Sequence, residues 1–351
     1  MKNSVWSVTP APFVFSGFSL HTTGIAVFLT FVPQLVLLAC LRDFAALTVI
    51  FSALAGAVLA ELCFFLPVFC GGQKSFDFSV LLCGLITGFL LPTAIHPVLA
   101  VCASFFGLFV ARNFFNGTGN AWLNASVLSV FIVCLSSPLY FPERMAVQYT
   151  APSATAFPSV TMRLNPAPFD VDITNMLNTF VLQPLGIHLP EGYVSLFFQP
   201  DAPVAAFKFN IVTLAASLVF FVMDIADRIV PVVFLAVYAA AVFFFPDFFR
   251  ASLFAPGGSG DVLFAIFSGG LFFTAFYLLS DVATLPRTKP GRVILGVFAG
   301  AAAFFTCGLG GDTLLGAVCT VFLANMLSPA IEYIENRLLK AAPVETVLYD
   351  R

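Results

Sequence analysis

Ten apolar segments, each close to the length of a membrane-crossing helix, run along this chain. A helix needs about twenty mostly apolar residues to cross the hydrocarbon core of a bilayer. Only 9% of the residues are charged, whereas a soluble domain carries roughly 25%, so the chain has too few charges to cover a water-exposed surface. We therefore expect an all-α integral membrane protein with about ten transmembrane helices. The predicted spans are 22–41, 44–70, 78–95, 97–115, 122–140, 206–226, 229–246, 262–280, 292–307 and 312–333.

The distribution of lysine and arginine predicts the orientation of these spans. Cytoplasmic loops of membrane proteins carry an excess of both residues. With the N-terminus in the cytoplasm, the inside segments hold ten of the fifteen lysines and arginines, and the outside segments hold five. Both termini are then cytoplasmic and the long loop 141–205 faces outward. The net charge of −3 argues against a nucleic-acid partner.

The two halves of the chain resemble each other. "VLLCGLITGFLLP" (80–92) matches "VLFAIFSGGLFFT" (262–274), and a glycine-rich turn follows one helix later in each half, at 116–125 and 307–317. Because each half holds an odd number of spans, the second copy would be inverted in the membrane, as in many inverted-repeat proteins. The predicted organisation is a first repeat (1–140), an outer loop (141–205), a second repeat (206–335) and a cytoplasmic tail (336–351).

Two polar residues stand out near or within the spans. Glu61 lies inside the second span, and a carboxylate there is either a packing group bonded to a neighbour or part of an ion or proton pathway. His96 lies in the short turn "LPTAIHP", where we expect a local hydrogen-bonding role. The eight cysteines lie mostly in apolar runs, which favours packing over a sulfur ligand shared with a partner subunit.

Several motifs resemble one known family. "SVLLCGLITGFLLP", "FFNGTGNAWLNAS" and "SGGLFFTAFYLLSDVATLPRTKPGRVILG" (268–296) are similar to segments of the D subunit of Rnf complexes. The same segments resemble the homologous B subunit of the sodium-pumping NADH:quinone oxidoreductase, and the likeness covers most of 75–335. It implies ten helices in two inverted five-helix repeats, within an ion-translocating (Na+ or H+) electron-transport complex of a bacterial inner membrane. Such a subunit is not catalytic alone.

The resemblance also implies a covalent flavin. In the family, FMN is linked through its phosphate to a threonine that follows Ser-Gly-Ala in the outer loop. In "FDVDITNMLNTF" (169–180), Thr174 takes that place after Val171-Asp172-Ile173. Thr155 in "PSATAF" is the alternative acceptor, and a loop without covalent flavin is the third possibility. Attachment needs an exposed hydroxyl in an extended polar loop that a flavin transferase can reach.

A second, noncovalent flavin and several partners are implied by the same likeness. Riboflavin is expected around Asn124, Asp281 and Thr284. The expected partners are flavin-, iron–sulfur- and NADH-binding subunits of the same complex, together with membrane lipid and a flavin transferase. Two other functions stay open, namely a small-solute channel or transporter of inverted-repeat type, and a redox-silent scaffold subunit of the same complex.

Overall fold

The computed structural model is helical throughout the residues that it describes. The described part of the chain forms no strand, and its extended pairing is one isolated bridge between Pro92 and Val204. In lipid this is the expected outcome, because a helix satisfies its own backbone N–H and C=O groups. The structure describes residues 20–68, 78–115, 123–141, 168–186, 189, 192–200, 202–223, 227–245, 261–268, 270–281, 284–309 and 314–341.

The helices follow the apolar segments of the sequence. In chain order they are α1 (Leu20–Cys40), α2 (Phe44–Val68), α3 (Phe78–Leu90), α4 (Pro97–Phe115), α5 (Ala125–Ser136), α6 (Pro168–Leu177), α7 (Ala205–Lys208), α8 (Asn210–Val222), α9 (Ile229–Phe244), α10 (Val262–Ser268), α11 (Leu271–Phe273), α12 (Lys289–Cys307) and α13 (Leu314–Ala341).

Every predicted span contains a helix, but the helices differ in length. Those at Thr22–Cys40, Phe44–Cys63, Lys289–Cys307 and Leu314–Arg337 are long and apolar enough to cross a membrane. Five further apolar helices have 10–17 residues. The chain therefore has the helices of a multi-pass membrane protein, and ten crossings in inverted repeats stay a prediction.

Glycines bring several of these helices into close contact. A Cβ added at Gly88 on α3 would lie 2.6 Å from the Cα of Ile50 on α2. At Gly300 on α12, an added Cβ would lie 2.8 Å from the carbonyl oxygen of Phe234 on α9. Small residues at such positions let backbones approach, which is how helices associate where lipid removes the hydrophobic drive.

An aromatic cluster lies where the two halves meet. The ring centroid of Phe31 on α1 is 4.9 Å from that of Phe89 on α3 and 4.5 Å from that of Tyr277. The ring centroids of Phe273 and Tyr277 are 4.7 Å apart. Offset and tilted pairs at these distances are favourable, so these rings join α1 and α3 to the span that starts at α10.

The span predicted at 262–280 is formed by an interrupted helix and not by one continuous helix. Helix α10 ends at Ser268, Gly270 has a φ of 70°, and α11 continues as a π-helical turn from Thr274 to Leu278. Glycine is required at 270, because an added Cβ would overlap the ring of Phe207 and the left-handed φ disfavours other residues. Short π-helical turns are frequent at functional sites.

The segment that precedes α8 packs across one end of the bundle. Thr93 N–H donates to the Pro203 carbonyl at 2.9 Å. Lys208 is buried and forms an ion pair with Asp43, in the turn between α1 and α2. This segment is therefore anchored to the first half of the chain at both of these points. It carries the first group of candidate site residues.

Candidate functional site

Asp170 is the centre of a buried hydrogen-bond network in the loop that joins the two halves. Both Asp170 and Thr174 lie on α6, one helical turn apart, so their side chains share a face. Thr174 Oγ1 donates to Asp170 Oδ1 at 3.1 Å, and Gly192 N–H donates to the same oxygen at 2.7 Å. Ser195 donates to Asp170 Oδ2 from its backbone N–H at 2.6 Å and from its hydroxyl at 2.7 Å.

These four donors keep the Asp170 carboxylate charged. Burial raises its pKa, but the hydrogen bonds from Gly192, Ser195 and Thr174 outweigh burial, and the pKa is lowered from 3.8. Donors that favour the charged form have this effect on a carboxylate. The residue is fully buried. Asp170 is thus an internal anion held by the chain itself.

The same loop is tied to the bundle on both sides of this network. Tyr193 OH donates to Asp261 Oδ2 at 2.5 Å, and Asp261 Oδ1 accepts from Phe264 N–H at the start of α10. Burial and the Asp261 carboxylate both raise the pKa of Tyr193. The ring of Phe169 lies 5.7 Å from that of Phe198. The Asp170 network therefore lies at the end of the bundle where α10 begins.

Covalent FMN does not fit Thr174 in this conformation. The expectation of an exposed hydroxyl in an extended loop is wrong, because Thr174 lies on a helix and is 1% exposed. Its hydroxyl already donates to Asp170. A phosphodiester on that oxygen would remove the donor and place a second negative charge beside a buried carboxylate, which is unfavourable. The alternative acceptor, Thr155, lies outside the described residues.

The three residues expected near riboflavin lie together. Asn124 Nδ2 donates to Asp281 Oδ2 at 3.1 Å, across 157 positions of the chain. Asn124 Oδ1 caps α5 by accepting from the N–H groups of Ser126 and Val127. Thr284 Oγ1 donates to the Asp281 carbonyl at 3.2 Å. Since Asp281 follows the span that begins at Asp261, this group lies at the opposite end of that span.

Of Asn124, Asp281 and Thr284, only Asp281 is available to bind a flavin. Both ends of the Asn124 amide are engaged by the protein, whereas Asp281 keeps partial exposure. A half-exposed carboxylate can accept from the hydroxyls of a ribityl chain. The hydroxyl and carbonyl of Thr284 are both engaged too, since Ser328 Oγ donates to that carbonyl at 2.5 Å. Asp281 is therefore the residue of this group that a ligand can reach.

The two polar residues singled out near the first spans have different settings. Glu61 is buried on α2, 1% exposed. Both interpretations of it, a packing carboxylate and part of an ion pathway, stay predictions. His96 is exposed, and its Nδ1 accepts from Val98 N–H at 3.3 Å. The expected local hydrogen-bonding role of His96 is confirmed.

A set of buried and half-buried polar groups between α1, α8 and the broken span was not predicted from the sequence. Gln34 Nε2 donates to Thr213 Oγ1 at 3.3 Å, and the Gln34 amide oxygen is buried without a hydrogen-bond partner. Thr30 and Tyr277 share a hydrogen bond of 3.0 Å one helical turn away. Asn210 Nδ2 donates to the carbonyls of Leu196 and Phe267, while its oxygen is unpartnered.

A sequence signal for this set was present. Gln34 and Asn210 are amide side chains at or inside segments that have the composition of membrane spans, where polar residues are expensive and default to a functional role. Hydropathy alone gives no indication that residues so far apart in the chain converge. We name Thr30, Gln34, Asn210, Thr213 and Tyr277 the buried polar group.

Comparison with known proteins gives consistent matches. A model of the NQR2, RnfD, RnfE family matches residues 7–340. The chain is 26% identical over 271 residues to a Vibrio cholerae protein named as the D subunit of an ion-translocating oxidoreductase complex, which covers 71% of this chain and 75% of the relative. Proteins of the same name from Vibrio vulnificus and Shewanella frigidimarina are each 25% identical, over 71% of this chain and 76% and 74% of the relatives.

Proposed function

This chain belongs to the NQR2, RnfD, RnfE family, and from that premise we propose that it is a membrane subunit of an ion-translocating electron-transport complex. Its relatives carry the name of the D subunit of such a complex. The chain would work together with other subunits of that complex, those that bind flavin, iron–sulfur clusters and NADH. It would lie in a bacterial inner membrane as ten helices in two inverted halves, with both termini cytoplasmic.

Matching helix contacts support the division of the chain into two repeats. In the first half α2 packs against α4, and α4 packs against α5. In the second half α9 packs against α12, and α12 packs against α13. The same order of neighbours in both halves is what an internal repeat predicts.

The observation that carries the ion-translocating role is the buried polar group. Unpartnered amide oxygens inside a helical bundle are costly, and in membrane proteins they mark routes for ions or protons. The Gln34 and Asn210 oxygens are of this kind. Neutral carbonyl oxygens can replace the hydration shell of a monovalent cation. We take this group as the ion path, with Glu61 as the second candidate.

The test measures ion uptake per electron in proteoliposomes that contain the whole complex. Gln34→Met and Thr213→Val keep side-chain volume and remove the polar atoms, so each should lower ion uptake at least about tenfold while the complex still assembles. Thr48→Val is the matched control, because Thr48 is exposed on α2 and bonds its own helix. Uptake by the two variants equal to that of the control would reject this path.

The electron-transfer role rests on a noncovalent riboflavin beside Asp281. A bound flavin would supply one- and two-electron transfer. The chain would contribute the Asp281 carboxylate, held in place by Asn124. Asp281→Ala should then lower the amount of flavin released on denaturation of the complex. Flavin release equal to wild type would reject this site.

A small-solute transporter is the competing class for this architecture. It predicts solute flux through the isolated chain in liposomes, with no dependence on electron transfer. Ion uptake that requires both the partner subunits and an electron donor would support the oxidoreductase complex and reject the transporter.

A further inference from the structure

We infer that Thr174 is a structural donor that fixes the outer loop, and that it does not carry a flavin. The inference rests on the family membership stated above, which supplies the expectation of a flavin-bearing threonine. It is independent of the proposed ion path and of the riboflavin beside Asp281.

The first argument is the hydrogen of the Thr174 hydroxyl. That hydrogen is directed to Asp170 Oδ1 at 3.1 Å. Attachment of FMN would form a phosphorus–oxygen bond in place of the O–H bond. Asp170 would lose one of four donors, in a buried setting where an unmade hydrogen bond is expensive.

The second argument is charge. The donors of a phosphate-sized anion cradle are present in this loop, namely the N–H groups of Gly192 and Ser195 and the Ser195 hydroxyl. The Asp170 carboxylate already accepts from all three. A phosphate on Thr174 would need the same donors and would repel the carboxylate at close range. In this chain an internal carboxylate therefore takes the place in which a phosphate would be held.

The third argument is access. Thr174 is 1% exposed, whereas its neighbours Val171 and Ile173 are 38% and 39% exposed. Asp170, on the same face of α6, is bonded to Gly192 and Ser195, so a movement of α6 that exposed the Thr174 oxygen would draw Asp170 away from both. That movement would break the whole Asp170 network.

Thr179 is a matched control within the same segment. Its hydroxyl is exposed and donates to the carbonyl of Asn175 at 2.8 Å. It therefore differs from Thr174 in burial and in partner, and not in residue type.

The first experiment is mass spectrometry of the full-length chain purified within its complex from cells that express an active flavin transferase. Trypsin releases residues 164–208 as one peptide, in which Thr174 and Thr179 are the only threonines, while Thr155 lies on the separate peptide 145–163. A second protein with a Ser-Gly-Ala-Thr motif, expressed in the same cells, verifies that the transferase is active. We expect peptide 164–208 at its unmodified mass, and a flavin found on 145–163 instead would also support the inference. The mass of FMN less water on Thr174 would overturn it.

The second experiment tests the structural role by proteolysis of the outer loop in the folded complex. Thr174→Val should raise the rate of cleavage between residues 168 and 200 at least about fivefold, because the Asp170 network loses a donor. Thr174→Ser, which keeps the donor, and Thr179→Val should both cleave at the wild-type rate. Equal cleavage of Thr174→Val and wild type would overturn the structural role. Electron transfer by the complex is measured in parallel, so a failure of the proposed function is recognised separately.

Discussion

At the scale of single residues, two ion pairs hold charges that the fold partly or fully buries, and Lys208 with Asp43 is the more buried of the two. Lys208 is 6% exposed in its side chain, and its partner Asp43 is 20% exposed. Burial raises the pKa of Asp43, but the hydrogen bonds and charge of its partners, Lys208 above all, lower it overall. The pair joins the turn after α1 to the segment before α8, so it links the two halves of the chain.

Removal of Lys208 should destabilise the protein, because the charge of Asp43 remains without its partner. Lys208→Met leaves the Asp43 carboxylate partly buried without its cation, which should lower the free energy of unfolding by about 3 kcal/mol. Denaturant titration in detergent micelles measures this loss. Arg42→Met removes an exposed charge from the same turn and should change stability by less than about 0.5 kcal/mol. Equal stability of the two variants would show that the ion pair contributes nothing.

The Asp170 network predicts a pH dependence with a definite sign. Because the folded pKa of Asp170 is lowered, its stabilisation is complete above the pKa of the unfolded chain, 3.8, and is lost as pH falls through the lower folded value. Pepsin cleavage of the outer loop, normalised to denatured substrate, should therefore be slow above pH 3.8 and rise as the pH falls below it. Asp170→Asn should cleave rapidly on both sides of that pH. A wild-type loop with no change across that pH would contradict the assignment.

At the scale of elements, a break within a helical span decides where several of its side chains lie. The span that contains α10 and α11 turns at Gly270 and then widens into a π-helical turn. Tyr277, which belongs to both the aromatic cluster and the buried polar group, lies in that turn. The break thus positions side chains that a straight helix would direct elsewhere.

Gly186 and Gly270 have nearly the same φ, so comparing their alanine variants distinguishes the cost of backbone strain from the cost of steric overlap. Gly186 has a φ of 68° with open space around it, whereas Gly270 has a φ of 70° and faces the ring of Phe207. Gly186→Ala should cost about 1 kcal/mol from the left-handed conformation alone. Gly270→Ala should cost about 1–3 kcal/mol more from overpacking. Unfolding measurements on both variants test this, and equal losses would contradict the contact with Phe207.

Helix positions could be predicted from the sequence, and helix interruptions could not. The prediction of 97–115 matches α4, and 44–70 matches α2 within two residues, because runs of apolar residues are local information. Glycine at 270 is required by the ring of Phe207, and Thr174 bonds Asp170, which Gly192 and Ser195 bond in turn. Those partners are far along the chain or depend on the fold, so a linear pattern contains no sign of them.

The sequence predicts several residues of the candidate site but not how they are arranged in space. Asn124 and Asp281 were singled out by the family likeness, and the structure joins them by a hydrogen bond. Asp170 was not singled out, although it organises the outer loop. An aspartate four residues before a threonine is a signal for an intrahelical hydrogen bond, but only if the segment is known to be a helix. In a loop that is expected to be extended, the same pair of residues carries no such signal.

At the scale of the whole molecule, the two ends of the bundle carry different chemistry. One end holds the Asp170 network, the ion pair of Asp43 and Lys208, and the bond between Tyr193 and Asp261. The other end holds Asn124, Asp281 and the ion pair between Arg292 and Asp227 at 2.8 Å. The buried polar group begins at the first of these ends, where Asn210 donates to the Leu196 carbonyl, and continues along α1 and α8 through Gln34 and Thr213. The proposed ion path would lead from that end into the bundle along α1 and α8.

The orientation of these two ends in the membrane is the last prediction. The excess of lysine and arginine in the predicted inside segments places the end of α13 in the cytoplasm and α6 outside. In a chain without its native cysteines, Asn175→Cys on α6 should react with a membrane-impermeant maleimide in intact spheroplasts, because residue 175 is exposed. Arg337→Cys on α13, also exposed, should react only after the membrane is permeabilised. The reverse labelling pattern would invert the topology and assign the Asp281 end to the outside.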